Sequence, residues 1–153
     1  MIESAQQRAQ TAVSTAAPES FTRPTRLVIV IVCYRAVDLT IDCLRSIEPE
    51  IRALDGVGVI VCENGTGGDA VAVLEEAVRT KGWSEWASIR SVHPNRGFAG
   101  GNNVVLEELL TWDTLPEHVL LLNADTIVRP GAIGELLAAA DAHPEAGVIS
   151  PRL

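Results

Sequence analysis

Short apolar runs alternate along this chain with segments whose apolar residues recur at helical spacing. The runs are nearly continuous, which is typical of parallel strands that are buried on both faces. Four of them are predicted strands, at residues 27–33, 57–62, 88–92 and 119–123. Strands that alternate with helices in this way predict an α/β fold, in which helices flank a mostly parallel sheet.

A helix is predicted after each of the four strands. The helical segments are residues 37–47, 70–78, 101–110 and 130–140. In the first of them Leu39, Cys43 and Ile47 recur at helical spacing, and Pro49 is expected to end or kink the helix. A fifth strand is expected to begin at residues 147–149.

The first 25 residues do not share this pattern. They are rich in Ala, Gln, Ser and Thr, have no sustained apolar period, and contain Pro18 and Pro24 near their end. We therefore predict a disordered arm over residues 1–25 and one globular region over residues 26–153. A chain of 153 residues is long enough to bury a single core.

Composition and charge exclude several classes of partner. The net charge is −8 and no dense cluster of Lys or Arg is present, so nucleic acid is not an expected partner. No apolar run approaches the roughly 20 residues of a transmembrane helix, and the N-terminus has no signal-peptide core. These features predict a cytoplasmic location, or one peripheral to the inner face of the membrane. Cys33, Cys43 and Cys62 have no metal-binding spacing and are predicted to be buried free thiols.

Polar residues and glycines follow the end of each predicted strand. Ligands of open parallel sheets bind beyond the carboxyl ends of the strands, so these segments are expected to converge along one edge and form a site. The segments are Tyr34 and Arg35, Glu63 and Asn64, residues 95–103, and Asn123 with Asp125.

The same segments carry a family resemblance. They read VIVCYR, VIVCENGTGGD, HPNRGFAGGNN and LLNADTIVRPGAI, and the last two are the most specific. The chain thereby resembles the inverting family-two glycosyltransferases, especially their rhamnosyltransferase-like branch. That likeness implies the nucleotide-binding, Rossmann-like half of a GT-A fold, a dTDP- or UDP-sugar donor, and Mg²⁺ or Mn²⁺. It also implies an acceptor glycan or lipid-linked glycan in cell-envelope polysaccharide or glycoconjugate synthesis.

The resemblance assigns roles after the first two strands. Tyr34 would lie against the nucleobase, where an aromatic ring can stack, although packing at a strand end explains a tyrosine equally well. Glu63 stands where the family usually has Asp, and its carboxylate would accept a hydrogen bond from the base or from a sugar hydroxyl. Asn64 and Gly65 are better explained as turn residues.

In the glycine-rich segment the resemblance places Arg96, Gly97, Gly100 and Asn102 beside the donor. Glycines allow the backbone to approach a ligand closely, and a helix N-terminus favours an anionic phosphate. The spacing of these glycines does not match the dinucleotide-binding fingerprint. Phe98 is interpreted as a packing residue.

Asn123 and Asp125 occupy the family's DxD position. Asp125 would bind the divalent metal, and Asn123, in place of the first Asp, contributes only a neutral oxygen. The alternative is that Asp125 and Thr126 cap a turn ahead of Pro130.

None of these residues is assigned as the catalytic base, which the resemblance places beyond the last residue of this chain. The chain is therefore expected to be a C-terminally truncated donor-binding half that by itself binds donor weakly or not at all and transfers sugar poorly. A second hypothesis is a noncatalytic nucleotide-binding or interaction module that a partner chain completes, with association at the truncated sheet edge. A nucleotidyltransferase is less favoured, because no early glycine-rich basic loop is present.

Overall fold

A computed structural model of the chain describes residues 21–151 and the backbone of residues 12–14. Its strands are β1 (Ala12–Ser14), β2 (Leu27–Cys33), β3 (Val57–Asn64), β4 (Ala87–His93) and β5 (His118–Asn123). Its helices are α1 (Val37–Ala53), α2 (Ala70–Thr80), α3 (Gly97–Leu109) and α4 (Ala132–Ala142). The predicted alternation of strands and helices is confirmed.

The strands form one sheet in the order β1-β4-β3-β2-β5. Strands β2 to β5 are parallel, and β1 is antiparallel to β4. From β2 the chain adds strands outward on one side, and then crosses back to add β5 on the other side. This reversal between β2 and β5 is the switch point at which open α/β sheets bind ligands. The predicted α/β, Rossmann-like fold class is confirmed.

Both faces of the central strands β2 and β3 are buried by helices. On one face Ile29 and Ile31 of β2 pack with Leu44 of α1 and Leu74 of α2. On the other face the alternate β2 residues contact the side of α3 that carries Val105. This double burial explains why the strands are almost continuously apolar.

Helix α1 differs from its prediction, because it continues through Pro49 to Ala53. The last turn is held by a tertiary contact. Glu50 is only 5% exposed, and its carboxylate accepts hydrogen bonds from the amides of Gly131 and Ile133 at the start of α4. Such a contact can offset the cost of a proline inside a helix.

Helix α3 begins at Gly97, four residues before its predicted start at residue 101. The glycine-rich segment is therefore the first turn of a helix. Asn64 accepts a hydrogen bond from the amide of Arg96, and Asn95 accepts one from the amide of Gly97. These side chains satisfy amides that lack a partner inside the helix, which compensates for the poor helix propensity of glycine.

The predicted fifth strand is wrong. Residues 147–150 form no strand, and Val148 is 89% exposed. Three apolar residues are too weak a pattern to specify a strand without a neighbouring strand to pair with.

The predicted arm lies mostly outside the described residues. Within it, Ala12–Ser14 pair with the edge of β4, whose backbone groups need partners. Phe21 is buried beside Val92, and the amide of Thr22 donates to the carbonyl of Glu85 at 3.0 Å. The chain is thus packed on the sheet before residue 26, earlier than the composition indicates.

Two further results concern the described part of the chain. No helix in it has the length and apolar character needed to cross a membrane. All three cysteines are buried and unpaired, which confirms their prediction as free thiols.

Candidate functional site

An open cleft of about 450 Å³ lies at the carboxyl ends of the parallel strands, beside the switch point between β2 and β5. We call it the switch-point cleft. It is lined by Val32, Tyr34, Ala36, Leu39, Asn64, Asn95, Gly97, Phe98, Asn123, Ala124 and Asp125. All four strand-end segments contribute to it, so the predicted convergence is confirmed.

The end of β2 supplies an aromatic wall. Tyr34 is 43% exposed and lines the cleft. Arg35 follows with a left-handed backbone (φ 53°), which a non-glycine residue adopts at some cost. Its amide donates to the Thr66 hydroxyl at 2.9 Å, and its guanidinium lies 5.2 Å from the centroid of the Tyr34 ring. The turn after β2 is thus held to the loop after β3.

The end of β3 contributes Asn64 to the cleft rather than Glu63. The Glu63 side chain is 3% exposed, and its carboxylate accepts a hydrogen bond from the Thr66 amide at 2.7 Å. It is not part of the lining. Asn64 is 1% exposed and lines the cleft. The turn interpretation of Asn64 therefore missed a side chain that forms part of the wall.

The first turn of α3 forms the next wall. Among its predicted site residues Gly97 lines the cleft, and Arg96, Gly100 and Asn102 do not. A Cβ at Gly100 would lie 2.7 Å from the Arg96 Cβ, so this glycine is needed within its own helix turn. Asn102 is buried and donates to the Phe98 carbonyl at 2.9 Å.

The end of β5 places two polar residues in the cleft. Asn123 and Asp125 line it, and the buried Ala124 lies between them. The Asp125 carboxylate is exposed and has no hydrogen bond or ion pair within the described ranges. The turn after β5 is closed by the backbone, because the Thr126 amide donates to the Asn123 carbonyl at 3.2 Å. Asp125 therefore caps neither this turn nor the start of α4.

The oxygen atoms available for a metal are few. Over residues 21–151, no group of three or more His, Cys, Asp or Glu side chains is placed to hold an ion. Asp125 offers an unengaged carboxylate, and Asn123 offers an amide oxygen at the same cleft. This donor set fits a hard cation that keeps several waters and takes other ligands from bound phosphates.

The negative charge of Asp125 also affects helix α1. Burial, and secondarily Asp125, raise the pKa of the Cys43 thiol to about 11. The Cys43 sulfur lies 3.8 Å from the carbonyl oxygen of Asn123. One face of α1 thus lies directly behind the loop that carries Asp125.

Two residues of α1 that the sequence did not single out hold this loop. The hydroxyl of Ser46 accepts a hydrogen bond from the Val128 amide at 2.9 Å, and Glu50 binds the amides at the start of α4. The sequence could have indicated Glu50, because it lies three residues after Ile47 and so continues the buried face of α1.

The chain matches no family model, and no curated protein matches it. Among solved structures it is similar to the mannosyltransferase PcManGT from Pyrobaculum calidifontis in complex with GDP-Man and Mn²⁺. The TM-score is 0.55 at 20% sequence identity.

Over the matched part, the chain has the same fold as that mannosyltransferase. The match covers 72% of this chain and 30% of the length of that mannosyltransferase. The shared part is a parallel sheet flanked by helices, and the switch-point cleft lies at its carboxyl edge.

Proposed function

We propose that this chain is the donor-binding region of a glycosyltransferase and that it binds a nucleoside-diphosphate-sugar in the switch-point cleft. The observation that carries the proposal is the position and lining of the cleft. At the switch point of the sheet, the Tyr34 ring, the N-terminal turn of α3 and the unengaged Asp125 carboxylate all border one space.

The size and lining of the cleft suit such a donor. About 450 Å³ falls in the usual range for small-molecule sites, and the lining combines apolar side chains and an aromatic ring with four polar side chains. In the proposed complex the base stacks on Tyr34 and the diphosphate lies toward Asp125. Arg96, Gly100, Asn102 and Glu63 do not line the cleft. A donor role for these four residues stays a proposal, and its test is a measurement of direct contact between each residue and the bound donor.

We propose Asp125 as the protein ligand of a divalent cation, Mg²⁺ or Mn²⁺, with Asn123 beside it. When bound, the ion would neutralise the charge that develops on the departing nucleoside diphosphate. The structural neighbour was solved with GDP-Man and Mn²⁺, which supports a donor and metal of this class. The choice of dTDP or UDP, and of an inverting, rhamnosyltransferase-like reaction in cell-envelope synthesis, rests on the sequence resemblance.

Transfer with inversion needs a general base for the acceptor hydroxyl. Within residues 21–151, Asp125 is the only carboxylate that lines the cleft, and the proposal uses it for the metal. We therefore assign the base and the acceptor site to an acceptor-binding half, and expect this chain alone to bind donor without efficient transfer.

A second candidate function is a noncatalytic nucleotide-binding or interaction module that another polypeptide completes. The exposed apolar residues of β5 favour it, because Val119 is 40% and Leu121 is 48% exposed. The donor-binding region requires nucleotide binding, whereas a pure interaction module does not. The two candidates also differ in whether the chain, once joined to an acceptor-binding half, transfers sugar.

The first experiment is calorimetric titration of the chain with UDP, dTDP and GDP, with and without Mn²⁺. We expect binding that Mn²⁺ strengthens. Asp125→Asn should lower the metal-dependent affinity by at least about tenfold, as expected for loss of a metal contact. Asp113→Asn is the matched control, because this exposed aspartate precedes β5 and lies at the opposite end of the sheet.

Equal affinity of the Asp125→Asn variant and the parent chain would exclude Asp125 as the metal ligand. Absence of binding by a folded parent chain for all three nucleotides would overturn the proposed function.

A further inference from the structure

Asn64 joins the end of β3 to the turn that begins α3. Its Oδ1 accepts a hydrogen bond from the Arg96 amide at 3.0 Å, and its Nδ2 donates to the Gly97 carbonyl at 3.0 Å. The side chain is 1% exposed, although it forms part of the wall of the switch-point cleft. Both of its polar atoms are thus bonded to the backbone of two consecutive residues.

The packing around Asn64 leaves little room for adjustment. Gly65 has φ 78°, and a Cβ there would lie 2.6 Å from the Asn95 nitrogen. On the other side, a Cβ at Gly101 would lie 3.2 Å from the Asn64 Nδ2 and 2.8 Å from a methyl group of Val32. Glycines therefore allow the turn and α3 to approach β2 and β3 closely. The Asn64 side chain packs between them and bonds to the backbone of the turn.

An amide side chain is the chemistry that this position requires. It must accept from one backbone group and donate to the next, and asparagine presents both functions at one site. A carboxylate of the same shape can accept from the Arg96 amide but cannot donate to the Gly97 carbonyl. An apolar side chain would leave the Arg96 amide and the Gly97 carbonyl without these part-buried hydrogen bonds, which is costly.

We propose that Asn64 is a positioning residue that fixes the first turn of α3 as one wall of the nucleotide site. Asn64 and Asn95 occupy the amides of Arg96 and Gly97. The next two amides, of Phe98 and Ala99, have no partner in the described part of the chain. Asn64 thereby determines where these two amides lie relative to the cleft that Phe98 lines. This inference rests on the proposed function.

The test compares Asn64→Ala and the isosteric Asn64→Asp with a stability-matched control. Val105→Ala serves as the control, because Val105 is fully buried on α3, is absent from the cleft lining, and packs in the core. Nucleotide and Mn²⁺ affinity is measured by calorimetry at a temperature where all variants are folded. Amide hydrogen exchange of Arg96 is measured without nucleotide.

We expect both Asn64 variants to bind nucleotide at least about tenfold more weakly than Val105→Ala, since they lose hydrogen bonds that place the turn. Exchange of the Arg96 amide should accelerate in Asn64→Ala. In the parent chain, nucleotide should shift the NMR resonances of the Phe98 and Ala99 amides. In the Asn64 variants these shifts should be lost, and those of Asp125 should remain at saturating nucleotide.

Affinity equal to that of the control in both Asn64 variants, or unchanged exchange at Arg96 in Asn64→Ala, would overturn the inference. If Asn64→Ala does not fold, the nucleotide affinity of Asn64→Asp decides, because this variant preserves the side-chain volume and loses only the hydrogen bond to the Gly97 carbonyl. Failure of the parent chain to bind any nucleotide would overturn the proposed function instead, and exchange at Arg96 would still show whether Asn64 holds the turn.

Discussion

Arg90 is a fully buried arginine on β4, and its partner is Glu108 of α3. The guanidinium donates two hydrogen bonds to the carboxylate, at 2.6 and 2.7 Å. This pair could not be predicted from the sequence, because a charged residue in a strand gives no local sign of its partner. The pair connects the sheet to the helix whose first turn borders the cleft.

We expect Arg90→Met to lower the free energy of unfolding by about 3 kcal/mol, because it leaves Glu108 without its buried partner. The double variant Arg90→Met/Glu108→Leu should recover most of that loss, since no charge is then left unpaired. Urea denaturation measures both values. A single variant as stable as the parent chain would contradict this account of the pair.

The buried thiols should make the stability of the chain depend on pH. Burial raises the pKa of Cys62 to about 12 and that of Cys43 to about 11, from an ordinary value of 9.0. The folded chain therefore holds these protons more tightly than the unfolded chain. Their contribution to stability is complete below about pH 9 and is lost as the pH rises through the folded values.

The thiols should accordingly react slowly with a disulfide reagent at about pH 8 in the folded chain and rapidly in urea. The unfolding free energy should fall from about pH 9 upward. Fast reaction of one thiol in the folded chain would show that its site is open to solvent.

Among the candidate site residues, Tyr34 and Asp125 lie within two residues of a strand end, and their place at the cleft could be predicted from that position alone. Asn64 also follows this rule, but its hydrogen bonds to Arg96 and Gly97 depend on how closely α3 approaches β3. Glu63 shows the limit of the rule, because its side chain turns toward the Thr66 amide and leaves the lining.

At the scale of elements, α1 supports the loop that carries Asp125. Cys43, Ser46 and Glu50 lie on one side of this helix and contact the chain in order, at Asn123, Val128 and the start of α4. The N-terminus of α4 carries partial positive charge, so a buried carboxylate there is stabilising. The helix thus fixes both ends of the loop after Asp125.

Glu50→Ala should lower the free energy of unfolding by about 2 kcal/mol, because it removes the acceptor for the amides of Gly131, Ile133 and Gly134. Glu50→Gln retains an acceptor and should lose about half as much. Glu75→Ala is the control, on the exposed side of α2, and should stay within about 0.5 kcal/mol of the parent chain. Chemical denaturation measures all three. A Glu50→Gln variant as stable as the parent chain would exclude the charge as a contributor, and equal losses for Ala and Gln would exclude the neutral acceptor.

Some boundaries of the strands and helices follow from local sequence, and others depend on tertiary contacts. The four parallel strands were predicted to within two residues, because their apolar runs are long and ended by polar residues. Helices α1 and α3 were wrong at one end each. In both cases a residue far along the chain supplies the hydrogen bonds that extend the helix.

At the scale of the whole molecule, the sheet has an open edge at β5. This strand pairs with β2 on one side and with no other strand in the described part of the chain. Val119 and Leu121 lie two residues apart, on the same face, and both are exposed. An apolar strand with an unpaired edge favours association with other chains.

We expect the chain to self-associate at high concentration, and Val119→Lys and Leu121→Lys to weaken that association by placing charge on the edge. Sedimentation velocity over a concentration series measures the effect. Neither residue lines the switch-point cleft, so nucleotide affinity should not change. Association that is identical in both variants would place the contact on another surface.

By itself, the sequence determined the class of the fold, the parallel strands and the polar residues that follow them. These features are local, because they depend on apolar periodicity and on residue types at strand ends. Strand order, the extra turns of α1 and α3, and the contacts of Asn64, Glu50 and Arg90 were decided only by the tertiary structure. They depend on which groups, far apart in the sequence, come into contact in the folded chain. No local sequence pattern encodes those contacts.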